Sequence, residues 1–240
     1  MTASAHIDSI SLFNRLSRGA SIAAAGALVL VGWALDAAVL KNFFAGAGDM
    51  KANAALALVL SAAALWLSAR DSDVRLILAA RICAAAVVLI SLLTLAEYLL
   101  GQDLRIDQIL FNDSSTEAVR PGRMDPATAV MLLLVGVELS MLTAAQSART
   151  IQLIALVSGA LSLLALAGYL YGFQALYAVG PHTATSIMIL SLGVLCARPG
   201  AGLLATVAGD HAGGLATLRL LIGAAGIPLV LGYLTLLGQR

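Results

Sequence analysis

Apolar residues run along the chain in blocks of about twenty, the length a helix needs to cross a hydrocarbon core of about 30 Å. Short polar stretches divide the blocks. The pattern predicts seven spans, at about Gly19 to Leu40, Ala52 to Ala69, Leu76 to Leu100, Pro126 to Gln146, Ile151 to Phe173, Thr183 to Ala197 and Thr217 to Leu237. No alternating strand pattern argues for a barrel, and backbone groups in lipid must bond within their own segment. The expected fold is therefore all-α, a polytopic helical membrane bundle. Pro228 lies inside the seventh span and should kink it. Ahead of the first span, Ile7, Ile10, Phe13 and Leu16 recur at helical spacing beside Arg15 and Arg18. Residues 1–18 thus read as a cytoplasmic amphipathic segment on the inner membrane surface, and residues 19–240 as the transmembrane domain. The first span is too long for a signal-peptide core and has no small-residue cleavage site after it, so it is expected to be retained. Residues 198–216, rich in glycine and small residues, are expected along the inner surface.

Arginines set the orientation. Arg70, Arg75, Arg149 and Arg198 fall in the short turns that an inside N-terminus places in the cytoplasm, while the other loops carry most of the acids. Three spans begin alike on the outer side: Met50-Lys51-Ala52-Asn53-Ala54-Ala55, Met124-Asp125-Pro126-Ala127-Thr128-Ala129 and Val179-Gly180-Pro181-His182-Thr183-Ala184. Asn53 or Thr128 is expected to cap backbone N–H groups, and Pro126 suits a first helical turn. The repeat makes the bundle a series of hairpins: spans 1–2, 3–4 and 5–6, with span 7 opening a fourth. A chain that stops at Gly238-Gln239-Arg240, directly after the seventh span, further implies a fragment whose next helix returns to the cytoplasm; a complete seven-span protein is the alternative.

Composition narrows the class. The chain is 60% hydrophobic and 11% charged, against about a quarter charged in soluble domains. A net charge of +1 gives no broad basic surface for nucleic acid. Cys83 and Cys196 lie in apolar runs, without metal-ligand spacing or a disulfide framework. His6, His182 and His211 are not paired across two spans, so haem is not expected, and no metal or other cofactor is. No Walker loop, nucleophile–base pair or paired-carboxylate site is present, so no catalytic residue is assigned.

The chemistry that remains is in a few polar residues. Asp36, Arg81, Glu97 and Glu138 fall within spans, where an ionised group is costly. Asp36 and Glu97 lie near the outer ends; they are either solvated at the interface or line a vestibule with Tyr98, Tyr169, Tyr171 and His182. Asp103, Asp107, Tyr171 and His182 are candidate ligand-binding residues, with Leu104 to Phe111 folding as a lid. Arg81 and Glu138 are expected to form an intramembrane ion pair between spans 3 and 4. The competing reading has Arg81 reaching the head groups and Glu138 protonated. Trp33 and Trp66 read as interfacial anchors. Small residues such as Gly26, Gly159, Gly168, Gly223 and Gly226 would allow close helix packing.

The longest polar interval carries a resemblance. Glu97-Tyr98-Leu99-Leu100-Gly101, Asp103-Leu104, Ile106-Asp107-Gln108-Ile109-Leu110-Phe111 and Pro121-Gly122-Arg123-Met124, followed by Pro126, Thr128 and Ala129, resemble the N-terminal membrane regions of bacterial PAS-containing histidine kinases and diguanylate cyclases. Gly168-Tyr169-Leu170-Tyr171-Gly172, His182-Thr183-Ala184, Ala197-Arg198-Pro199 and Asp210 with Ala212-Gly213-Gly214 continue it, from about Met50 to Leu231. Arg105 replaces an expected glycine and His211 an expected serine. The resemblance implies a sensory domain in the bacterial inner membrane. It would relay a signal from the outer face, or from the membrane, to an output domain in cis, expected to be a histidine kinase. No kinase or GGDEF motif lies within these residues. The expected partners are the lipid bilayer, a second copy in a homodimer and that output domain, with no nucleic acid. A small transporter or channel built from hairpins is the alternative; a structural subunit is a third.

Overall fold

The computed structural model describes residue 31 and residues 50–68, 73–102, 106–108, 122–171, 179–198 and 200–208. The first and seventh predicted spans, the N-terminal segment, Asp36, Asp103, Trp33, Pro228 and most of the proposed lid lie outside them. Among the described residues the chain is all helical. The helices are α1 (Ala52–Leu67), α2 (Val74–Leu100), α3 (Pro126–Thr143), α4 (Ala148–Tyr171), α5 (Pro181–Leu195) and the short α6 (Gly202–Ala208). A single 3-10 turn, Ile106–Gln108, stands between α2 and α3. Helices α2, α3 and α4 are long and apolar enough to cross a membrane. Helices α1 and α5 are shorter, at 16 and 15 residues, or about 24 and 22 Å of rise. The α1 helix stops before the predicted Ala69, and α5 begins at Pro181 rather than Thr183.

Local chemistry sets the helix ends. The Asp73 carboxylate accepts from the Arg75 amide at 2.9 Å and starts α2, and Gly101, at φ 65°, ends it. Asp125, not Thr128, caps α3: its carboxylate accepts from the Thr128 amide at 2.9 Å and from the Thr128 hydroxyl. Pro126 takes the first turn, as the sequence predicts. The α3–α4 turn is a Schellman ending. The Gln146 amide donates to the Met141 carbonyl and the Ala145 amide to the Leu142 carbonyl. Alanine, at φ 55°, occupies the left-handed position that glycine usually fills.

Antiparallel packing brings the starts of α1, α3 and α5 and the ends of α2 and α4 to one end of the bundle, the loop end. The most extensive contacts are α2 with α3 and α4 with α5, and α3 also meets α1, α4 and α5. The core is made of small and branched residues, among them Ala55, Leu58, Leu65, Val87, Leu132, Val135, Leu139 and Ile187. On the outside, Leu78, Ile82, Leu89 and Leu92 of α2 and Leu153, Val157 and Leu164 of α4 are exposed, an apolar surface suited to lipid.

The far end of α3 is capped by two arginines. Arg81 donates to the Thr143 carbonyl at 3.1 Å. Arg198 donates to the Leu142 and Gln146 carbonyls at 3.0 and 2.9 Å. Arg81 satisfies an orphan carbonyl, and both cations meet the negative end of the helix dipole. Buried Gln152 of α4 holds the start of α6: its carbonyl oxygen accepts from the Leu203 amide, and its amide nitrogen donates to the Ala201 carbonyl at 3.1 Å.

The tightest crossing is at Gly136, which the sequence reading did not single out. A Cβ there would sit 2.8 Å from Val88 Cγ2 and 3.0 Å from the Val88 backbone nitrogen. At Gly159 it would meet Ser191 Cβ at an ordinary 3.6 Å. Gly136→Ala is therefore expected to destabilise the bundle by about 1–3 kcal/mol through overpacking, and Gly159→Ala to be neutral or slightly stabilising. Unfolding titrations of the two variants in mixed micelles check the contrast.

Candidate functional site

The organising group at the loop end is Arg123, in the short extended segment between Gly122 and Pro126. Its Nε lies 2.7 Å from Asp107 Oδ2 and 3.2 Å from Glu97 Oε2. Asp107 comes from the 3-10 turn and Glu97 from the last turn of α2. The guanidinium also stands 5.5 Å from the centroid of the Tyr98 ring, a cation–π arrangement. Asn53, in the first turn of α1, donates from Nδ2 to Asp107 Oδ1 at 3.0 Å. One guanidinium thus joins α2, the loop and the entry to α3, and Asp107 extends the tie to α1. All of it is buried: relative exposure is 0% for Glu97, 5% for Asp107 and 8% for Arg123.

The backbone is shaped to permit this. Gly122 has φ 75°, and a Cβ on it would lie 2.8 Å from the Asp107 carbonyl oxygen. The Tyr98 hydroxyl donates to the Met124 carbonyl at 3.1 Å, pinning α2 to the residue after Arg123. Beside the cluster, burial pushes the Asp125 carboxyl above its ordinary range, against the lowering effect of its hydrogen bonds from Thr128.

The sequence-predicted residues are distributed unevenly. Glu97 and Asp107 come together on Arg123. Asn53, read as a capping residue, instead aims its amide at Asp107, while its carbonyl oxygen accepts from the adjacent Ala54 amide. His182 is buried in the first turn of α5 with its ring folded back over Gly180. Tyr171 ends α4 and is exposed. Arg123, absent from the candidate list, is the residue on which the cluster turns. Its sequence signal is a cation just before an apolar span, with Glu97 and Asp107 upstream in a chain only 11% charged.

Arg81 and Glu138 do not pair. Gly136 faces Val88 of α2, and Thr143, seven residues on and on the same helix face, receives Arg81. At about 100° per residue, Glu138 is turned roughly 200° from Gly136 and so away from α2. It faces α4, where Ser158 Oγ lies 3.4 Å from its Oε2. Helix adjacency was read correctly, but the face was not.

The chain matches no family model, no curated protein and no solved structure.

The cluster yields two expectations. Arg123→Leu leaves two buried carboxylates without their cation and should cost about 3–5 kcal/mol, with Asp107→Asn showing coupling to it in a double-mutant cycle. Gly122→Ala should cost at least about 1–2 kcal/mol from the left-handed backbone alone, with the contact to the Asp107 carbonyl adding to it. Thermal unfolding in detergent measures both.

Proposed function

We propose that the chain is a membrane-embedded sensory domain of a bacterial signal-transduction protein, with seven spans in hairpins, its N-terminus in the cytoplasm and its loop end outside the inner membrane. The observation that carries this reading is the buried Glu97–Arg123–Asp107–Asn53 tie, which joins the loop to the termini of three helices. A buried charge pair has two states, made and broken, separated by several kcal/mol. A polar ligand or a membrane change that altered the Asp107–Arg123 contact would move the loop and the ends of α1, α2 and α3 together. Helices α2 and α3 would carry that displacement to the Arg81 and Arg198 end, which this orientation places at the cytoplasm, where an output module in cis would receive it. The sequence resemblance implies a histidine kinase or a diguanylate cyclase as that module, and we take the histidine kinase as the leading reading. A transporter would need a polar path through Glu97, Glu138 and Arg81, whereas these three engage separate partners.

Kinase autophosphorylation in membrane vesicles of a protein joining this chain to its output module tests the reading. Asp107→Asn and Arg123→Lys are expected to change basal phosphorylation several-fold at normal expression, and alanine at Asp103, Tyr171 and His182 to alter the response. Wild-type behaviour in every variant would place the sensory site elsewhere. Orientation is checked separately with impermeant thiol labelling, in a background lacking Cys83 and Cys196. Ser114→Cys should react in intact spheroplasts and Ser72→Cys should not.

A further inference from the structure

Glu138 sits about two thirds of the way along α3, twelve residues or about 18 Å from its start, with no exposed surface. Its Oε1 has no hydrogen-bond partner. Its Oε2 has one long contact, 3.4 Å from Ser158 Oγ of α4. That hydroxyl lies 2.8 Å from Ser191 Oγ of α5 and 3.2 Å from the Ala155 carbonyl. One turn along α4, the Ser162 hydroxyl donates to the Ser158 carbonyl at 2.9 Å. A carboxyl on one helix is thus joined to hydroxyls on two others, at a depth where the surroundings are Leu, Val, Met and Ala.

We propose that Glu138, Ser158 and Ser191 form a proton-binding site within the membrane, occupied in this arrangement by a proton on the Glu138 carboxyl. The argument is one of compensation. An ionised carboxylate at this depth needs a cation or several donors, and its desolvation costs several kcal/mol. Helices α1, α2, α4 and α5 pack on α3. Their titratable groups are Arg75, Arg81, Cys83, Glu97 and Tyr98 on α2, Arg149, Tyr169 and Tyr171 on α4, and His182 on α5; α1 has none. None forms an ion pair with Glu138. Arg81, the cation on the helix with which α3 packs most, is turned to the Thr143 carbonyl, about 7 Å further along α3. The available donor is a serine hydroxyl, whose single hydrogen is also sought by Ser191 and by the Ala155 carbonyl. A neutral acid fits without remainder. The carboxylic O–H donates to Ser158, which donates onward to Ser191 or Ala155, and the second oxygen is left as an uncharged carbonyl. Loss of the proton reverses the chain: Ser191 then donates to Ser158, and Ser158 to the carboxylate. The hydroxyl pair can therefore accept either state, and the protonation state of Glu138 is tied to the contact of α3 with α4 and α5. This holds whether or not the domain is sensory.

The test uses the full chain, purified into lipid nanodiscs at neutral pH. Infrared spectra are expected to contain a protonated carboxylic C=O band that disappears in Glu138→Gln and shifts in Ser158→Ala. Glu138→Gln, a neutral isostere, should retain the wild-type melting temperature. As a measurement that needs no variant, the wild-type protein is treated with dicyclohexylcarbodiimide, which adds across a protonated apolar carboxyl to leave a stable N-acylurea. Mass spectrometry should find the adduct on Glu138. The proposal is overturned if the Glu138→Gln difference spectrum lacks the acid band and the adduct falls only on other carboxyls.

Discussion

The guanidinium of Arg123, held between Glu97 and Asp107 and covered by Tyr98, is the contact on which the loop end depends. Its three charged groups come from three separated pieces of chain and are each almost wholly buried. None can be exposed or lost singly without leaving a buried charge uncompensated, so the pieces are held as a unit. Several otherwise odd features follow. Gly122 takes a left-handed conformation because only a residue without Cβ can pass the Asp107 carbonyl. Asn53 turns from its own helix end to the loop because Asp107 has a second oxygen to satisfy. The 3-10 turn at residues 106–108 is held by the polar contacts of Asp107 to Arg123 and Asn53.

Much of the fold could be read from apolar run length alone, since only helices satisfy their own backbone in lipid. The described helices α1 to α5 start and stop within a few residues of predicted blocks. What run length does not encode is rotation about the helix axis. In a soluble helix a polar outer face would mark it, but the outer faces of α2, α3 and α4 are mainly apolar. Rotation is set instead by where backbones can approach, and in α3 that is Gly136 against Val88. The Arg81–Glu138 expectation rested on depth and adjacency and failed on this point. At the loop end, Glu97, Asp107 and Arg123 all stand in the longest polar interval, yet residue type there points to the acids and not to Arg123. A cation beside a span ordinarily reads as an interfacial anchor, and its burial depends on how Gly122 turns the chain, a feature that φ reveals and residue type alone does not.

The polar groups fall at three levels of one helix. Arg123 stands just before α3, Glu138 about two thirds of the way along it, and the Arg81 and Arg198 caps at its end. The first level joins α3 to the loop and α2, the second to α4 and α5, and the third to α2 and the segment that follows α5. Without a hydrophobic force between helices in lipid, such ties and close backbone contact must supply the specificity of packing. They differ in what it takes to change them. The arginine caps bond to carbonyls, which do not titrate, and the loop-end tie is an ion pair that persists while its carboxylates are charged. The middle level is the one built from hydroxyls and a single carboxyl, whose hydrogen bonds can run in either direction. Under the proposed sensory function, a displacement entering at Arg123 and travelling along α3 would pass this level before reaching Arg198 and, through the carbonyls that Gln152 holds, the start of α6. The contact whose hydrogen bonds can reverse therefore lies between the loop-end tie and the arginine caps, where it can alter the coupling of α3 to α4 and α5 without releasing either end.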